Sequence, residues 1–412
     1  MSRRVLLICY YFPPMGLAGV GRPLALFRGL PQRGYDCHVL TVKPVTYWAY
    51  EPDLLSYSDT DRVFRSGSHD PQRIMHLLGI RKLKQSSAGR TRKVTERFFP
   101  DSKIGWVRAA IRLGRTLVEN YRYDAIVSTS PPISAHLVAA RLADEFDVPW
   151  VADFRDYWTS NRIEEVYDKP SMLDRGRRLL ADIVSHASAV TSVSPAIADY
   201  LGTGEVIANG YDERVQDWQG APDRDNYVIG FMGNLDEAES IRPLFEVVSQ
   251  MRGVDERSFG KIRLLQVGSV DREWLQSVLA EYELVDRCEI LGYQPRQECL
   301  KRMSRSSMLY LGFSQAIEPE MVTSRIFELL ASGRPLLAFA PDDSTLSGLI
   351  DRHGCGLHFT TEDYPRAVDY LRLHVTDFVN GASDVRPLPE FARQYSAEAM
   401  VNKFAATLGR LT

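Results

Sequence analysis

The sequence predicts an α/β protein made of two doubly wound, Rossmann-like domains. Three observations lead there. At 412 residues the chain exceeds what one hydrophobic core usually supports. Short apolar runs alternate with helix-length segments almost throughout, and runs rich in Val, Ile and Leu mark strands buried on both faces of a parallel sheet. After a polar stretch the alternation restarts near Tyr227, as a second domain would require.

In the first half the expected strands are 5–12, 37–42, 125–130, 150–154 and 189–193, with amphipathic helices such as 104–121 and 133–146 between them. In the second half they are 228–232, 262–267, 289–291, 308–311 and 336–339. The run Val206-Ile-Ala-Asn-Gly-Tyr-Asp212 and the polar residues 214–226 separate the halves, so the domains are expected at 1–206 and 227–388. Open parallel sheets bind ligands at the carboxyl ends of their strands, which is where functional side chains are sought.

Composition excludes several classes. Hydrophobic residues at 44% and charged residues at 25% are an ordinary globular balance. A net charge of −3 gives the whole molecule no electrostatic attraction for nucleic acid. The five cysteines are scattered without a CxxC pair, so neither a disulfide framework nor a zinc site is expected, and a reducing cytoplasm fits. The apolar run 5–12 is too short to span a membrane, and no stretch reaches ~18 apolar residues. The segment 81–97 carries seven Lys or Arg against Glu96 and runs into Phe98-Phe99-Pro100, which reads either as a solvated loop or as a peripheral contact with anionic lipid through 81–99. Asp59-x-Asp61 and Asp223-x-Asp225 lie in polar loops and follow no apolar strand, so no metal site is assigned to them.

The sharpest motif is Glu320-Met-Val-Thr-Ser-Arg-Ile-Phe-Glu328, followed by Leu-Leu-Ala-Ser-Gly-Arg-Pro335. Thr323 and Ser324 are good N-cap residues, so a helix is expected to start there and end near Gly333. Its first turn would offer free N–H groups to a phosphate, and Arg325 adds a fixed cationic fork. The plain alternative is a capped helix with a solvated Glu328. A second motif, Tyr10-Tyr-Phe-Pro-Pro-Met-Gly16-Leu-Ala-Gly19-Val-Gly21-Arg22, carries a strand through a glycine-rich turn into a helix. Its spacing is not the dinucleotide fingerprint, and the second strand ends in Lys43 where an acid would bind a ribose, so an NAD-dependent oxidoreductase is disfavoured. A third pair of runs, Ser128-Thr-Ser-Pro-Pro-Ile-Ser-Ala-His136 and Trp150-Val-Ala-Asp-Phe-Arg-Asp-Tyr-Trp158, puts polar side chains at strand ends. His136 is either a functional group or a satisfied helix histidine; Asp153 is either a ligand-binding carboxylate or an N-cap. Gly230-Phe-Met-Gly-Asn234 and Arg242 complete the candidates.

The Glu-x7-Glu spacing, with Thr-Ser-Arg inside and Ala-x-Gly-Arg-Pro behind it, resembles the donor-binding segment of family-four retaining glycosyltransferases of the GT-B fold. The first glycine loop resembles that family's as well, with Leu17 where it usually carries a second glycine. The resemblance implies two Rossmann-like domains facing a cleft and a C-terminal helix, 396–411, that crosses back to the first domain. It implies transfer of a sugar from a nucleotide-sugar such as a UDP- or GDP-sugar to a glycan or lipid-linked acceptor, with retention and without metal or other cofactor. It assigns Glu328 to the ribose, Thr323 and Ser324 to the diphosphate, and Glu320 to the donor sugar. His136 and Asp153 would line the cleft, and Gly16 and Gly19 would touch phosphate or acceptor. The family usually carries Gly-Arg where this chain has Gly233-Asn234, so Arg242 and Arg325 are expected to supply the missing cations. An epimerase of the same fold and a non-catalytic GT-B scaffold are the alternatives.

Overall fold

A computed structural model describes residues 3–16, 18–47, 49–57, 60–81, 96–158, 170–212, 223–233, 240–312, 325–382 and 390–412. In the first half β1 (Arg3–Ile8), α1 (Ala18–Gly29), β2 (Tyr35–Val42), β3 (Val63–Ser66), α2 (Pro71–Leu77), α3 (Ile104–Tyr121), β4 (Ala125–Ser130) and α4 (Ser134–Phe146) come in turn. They are followed by β5 (Trp150–Phe154), α5 (Pro170–His186), β6 (Ala189–Ser192), α6 (Pro195–Leu201) and β7 (Glu205–Val206). The second half holds β8 (Tyr227–Met232), α7 (Arg242–Val254), α8 (Glu256–Lys261), β9 (Ile262–Val267), α9 (Arg272–Glu281), β10 (Cys288–Ile290) and α10 (Arg296–Met303). Then come β11 (Met308–Gly312), α11 (Arg325–Ala331), β12 (Leu336–Phe339), α12 (Thr345–His353), β13 (Gly356–Phe359), α13 (Tyr364–Val379) and α14 (Ala397–Leu411).

These elements form two compact units, one holding β1 to β7 with α14 and the other holding β8 to β13. Each has its own sheet and its own apolar core. The first sheet runs β3-β2-β1-β4-β5-β6-β7 and the second β10-β9-β8-β11-β12-β13, all strand pairs being parallel. Strand order reverses between β1 and β4 in the first sheet and between β8 and β11 in the second. At such a reversal the loops leave in opposite directions and open a crevice at the strands' carboxyl ends.

The expected strands at 125–130, 150–154, 262–267 and 336–339 coincide with β4, β5, β9 and β12. The reason is plain in the burial: every residue of β4 and of β5 is buried, so apolar runs mark their ends. The run at 5–12 leaves the sheet at Ile8, and residues 9–12 continue as irregular chain, buried except for the half-buried Tyr11. The expectation did not include β3, β7 or β13, which are short and partly exposed.

Helix packing follows the same logic. One face of α3 (Trp106, Val107, Ala110, Gly114, Leu117, Val118) is buried, at spacings of a helical stripe. It meets α4 at Gly114, where an added Cβ would lie 2.4 Å from Leu142 Cδ1, so the close approach requires glycine.

A buried ion pair fastens the first unit. Arg22 on α1 donates from Nε to Asp153 Oδ2 at 2.9 Å and from Nη2 to Oδ1 at 2.8 Å, with both side chains withdrawn from solvent. Thr129 of β4 and Thr191 of β6 each donate a hydroxyl to the same carboxylate at 2.7 Å. Arg22 Nη1 also donates to the Ala208 carbonyl at 3.2 Å, and the guanidinium lies 4.9 Å from the Phe404 ring of α14. Burial by itself pushes the Asp153 carboxyl up, but Arg22 and the two hydroxyls outweigh it and hold the group below its ordinary value.

Removing one partner of such a pair leaves an uncompensated buried charge, at a cost of about 3–5 kcal/mol. Asp153→Asn is therefore expected to lower the stability of the first unit by about that amount, read from urea unfolding followed by Trp fluorescence. A midpoint unchanged within error would show that the pair is dispensable.

Candidate functional site

In the first unit the carboxyl ends of β4 and β5 and the first turn of α1 are held together by a second buried arginine. Arg155 donates from Nε to Ser130 O at 2.9 Å, from Nη2 to Pro131 O at 2.9 Å and from Nη1 to Gly19 O at 2.6 Å. It thereby joins the first turn of α1 to the end of β4. Burial lowers its affinity for its proton, and the neighbouring Asp156 and Asp153 oppose that. Gly19 thus has its carbonyl on Arg155, while Gly16 N donates to Ala49 O at 3.0 Å.

Asp153 and His136 were expected to line a cleft against a sugar. In the structure both are fully buried inside the first unit. Asp153 is consumed by Arg22 and the two threonines, which correct its assignment as a cap or an open sugar ligand. His136 Nδ1 lies 2.7 Å from Ser128 Oγ, which accepts from Trp150 Nε1 at 2.7 Å. Nε2 is buried with no hydrogen-bond partner among the described residues, so a protonated ring would leave an N–H unpaired in the core. Its ring packs 4.5 Å from that of Phe154, and burial pushes its pKa down to about 3, Asp153 opposing. His136 is a core histidine in this structure, because a cation there would lack solvation.

The second unit presents a glycine edge. Gly233, Gly268, Gly292 and Gly312 lie at the carboxyl ends of β8, β9, β10 and β11. At Gly268, φ is +127° and an added Cβ would lie 2.4 Å from Gly233 O; at Gly312 it would lie 1.9 Å from Ser240 O. No side chain fits at either position because the chain itself packs there, whereas at Gly292, φ +70°, an added Cβ would meet nothing within 4 Å. Gln266, buried in β9, orders two of these turns by donating to Gly268 O at 3.0 Å and accepting from Gly292 N at 3.1 Å.

Glu328 sits in the first turn of α11, only 7% exposed, and pairs with Arg296 at the start of α10. Arg242, the first residue of α7, instead makes a two-pronged pair with Glu281 at 2.5 and 3.2 Å, so binding a diphosphate would require it to leave that partner. Those hydrogen bonds raise its affinity for its proton. Arg325 is the first residue of α11. Glu320, Thr323, Ser324 and Asn234 lie outside the described residues.

Four residues escaped the sequence reading. Arg296 is 32 positions from Glu328 and carries no local signature. Gln266 had one, a lone amide in the apolar run Ile262–Val267. Arg155 and Asp156 were visible in the Trp150–Trp158 run, but only Asp153 was singled out.

With that geometry in hand, the comparisons are consistent. Residues 19–209 match the family model described as glycosyl transferase 4-like domain. No curated protein matches the sequence. Sucrose-phosphate synthase from Thermosynechococcus elongatus is 16% identical with a TM-score of 0.63, over 99% of each chain. A glycosyltransferase from Rickettsia africae is 14% identical with a TM-score of 0.64, over 100% of this chain and 98% of its own. Anabaena HepE, solved in complex with UDP-glucose, is 16% identical with a TM-score of 0.61, over 99% of each. The likeness to family-four glycosyltransferases is borne out, and the fold is GT-B.

The neutral His136 has a pH signature. Below the ordinary histidine value of 6.5 the unfolded chain takes up a proton that the folded chain refuses down to about 3. Stability should fall as pH drops through that window, by up to about 1.4 kcal/mol per unit from this residue. His136→Leu is expected to flatten the dependence of the urea midpoint between pH 6.5 and 5; a slope equal to wild type would contradict the neutral assignment.

Proposed function

The first domain is a glycosyl transferase 4-like domain on a GT-B frame, and from that premise we propose that the protein transfers a sugar from a nucleotide-sugar donor to a glycan or lipid-linked acceptor with retention of configuration. Glu328 carries the reading. It is a nearly buried carboxylate in the first turn of α11, it is paired with Arg296, and it follows the glycine edge of the second sheet in the chain. A carboxylate so placed accepts hydrogen bonds from a ribose, and its helix follows β11, at whose carboxyl end an open parallel sheet binds its ligand. A UDP- or GDP-sugar fits this chemistry, and HepE, similar in fold, is bound to UDP-glucose.

As the bond between sugar and diphosphate breaks, negative charge builds on the leaving group. Arg325 with the residues before it, Thr323 and Ser324, is assigned to meet that charge, and Glu320 to the donor sugar. Preorganised donors of this kind are usually the largest catalytic contribution. The domains we assign to donor and acceptor are 227–388 and 1–206.

A cytoplasmic, peripheral position suits a lipid-linked acceptor and surface-polysaccharide synthesis. Among the described residues no helix is long and apolar enough to cross a membrane. The end of α2 supports contact with the membrane surface: Leu77 is 66% and Leu78 74% exposed, with Ile74 and Ile80 also exposed, just before the cationic segment that begins at Arg81. Apolar side chains beside cations favour an anionic lipid surface.

The donor assignment is tested by thermal shift with nucleoside diphosphates and their sugars. At ~100 Kd a donor should stabilise the fold by roughly 2.7 kcal/mol, and Glu328→Ala should abolish the shift. Absence of any shift with wild type would favour the non-catalytic scaffold, and consumption of donor without acceptor would favour the epimerase. The membrane assignment is tested by vesicle flotation of the full chain. Binding is expected on phosphatidylglycerol-containing vesicles and a several-fold loss in Leu77→Glu/Leu78→Glu. Equal recovery of the two proteins would remove this surface.

A further inference from the structure

The first sheet reverses its strand order between β1 and β4, and at that point lies a cavity of about 150 Å³. Its lining includes Tyr11 beyond β1, Ser130 at the end of β4, Lys103 before α3, and Asp156, Tyr157 and Trp158 beyond β5. All belong to the first unit. We propose that this cavity seats one uncharged pyranose ring of the acceptor, with Asp156 accepting a hydrogen bond from a ring hydroxyl and the aromatic side chains covering the ring's apolar faces. The assignment rests on the transferase reading and names the group which that reading leaves open.

The polar groups around the space are unequally occupied. Asp101, also in the lining, has its carboxylate occupied: Oδ1 accepts from Lys103 N and Ser134 Oγ, and Oδ2 from Ser134 N, each at 2.8 Å. Lys103 Nζ donates to Gln72 at 2.5 Å and lies 5.1 Å from the Tyr10 ring. Arg155, directly behind the cavity wall, has its guanidinium spread over three carbonyls. Lys103 is thus the cation of the lining, with one of its donors on a neutral amide.

Asp156 differs. Its side chain is exposed, and among the described residues it accepts no hydrogen bond. The protein around it pushes its carboxyl up, with Arg155 opposing. Tyr11 likewise has a hydroxyl without a hydrogen-bond partner among the described residues. An acceptor at one point, a donor–acceptor at another and aromatic walls between them match a ring that carries hydroxyls on its rim and C–H groups on its faces. The charged residues of the lining are two carboxylates, Asp101 and Asp156, against one cation, Lys103, so a phosphate or carboxylate would enter a space of net negative charge.

The probes are the methyl glycosides of glucose, galactose, mannose and N-acetylglucosamine, with glucose 6-phosphate as the anionic comparator. Binding to the full-length protein is read by saturation-transfer NMR, and donor binding is read on the same samples by thermal shift. At least one neutral glycoside is expected to bind the wild type, Asp156→Asn to weaken it by about tenfold, and Trp158→Ala to erase it. The donor shift should stay unchanged in both. Asp156→Asn is nearly isosteric at an exposed position, so it remains informative should Trp158→Ala fold poorly. Equal glycoside binding in wild type and Asp156→Asn would overturn the proposal. So would tighter binding of glucose 6-phosphate, or no glycoside binding while the donor shift persists. Glycoside binding without any donor shift would uphold the cavity and sink the transferase reading instead.

Discussion

The first unit depends on the Arg22–Asp153 pair. A carboxylate and a guanidinium withdrawn from water must have nearly all their hydrogen-bonding positions filled, or the desolvation cost outweighs their attraction. Filling them draws on five parts of the chain: α1 for Arg22, β5 for Asp153, β4 for Thr129, β6 for Thr191, and the segment at Ala208 where the chain leaves the unit. The pair thus fixes the register of three neighbouring strands against one helix. Two residues further on, Arg155 reaches the first turn of α1 at Gly19. The glycine-rich turn is held between two arginine contacts, which gives the crevice at β1 and β4 a rigid wall.

This explains which parts of the molecule were legible in the sequence. Strands buried on both faces announce themselves as apolar runs, so β4, β5, β9 and β12 stand out to the residue. Edge strands have one side in solvent and a mixed composition. β3 and β13 are of this kind, and β7 is only two residues long. The turn from α11 into β12 was legible because Gly333, at φ +68°, occupies the left-handed position that ends a helix.

The sites were legible to a lesser extent, for a different reason. Sequence places a polar residue at the end of a strand but does not say which way it faces. Asp153 and Asp156 belong to one short run, yet the first is sealed beneath two threonines and an arginine while the second reaches solvent. Partners distant in the chain are equally hidden. Nothing near Glu328 announces Arg296, and nothing near Arg242 announces Glu281. The glycines at 233, 268, 292 and 312 acquire meaning together only when parallel pairing brings four strand ends into one row.

The last helix has a consequence for biogenesis. α14 packs into the first unit, and its Phe404 covers the guanidinium of Arg22, yet the ribosome makes it after every residue of the second unit. The amino-terminal half therefore cannot finish its core while it is being translated. For the time needed to synthesise nearly two hundred residues, the face of α1 that α14 will occupy stays uncovered, so the nascent chain offers chaperones a binding site that the finished protein lacks.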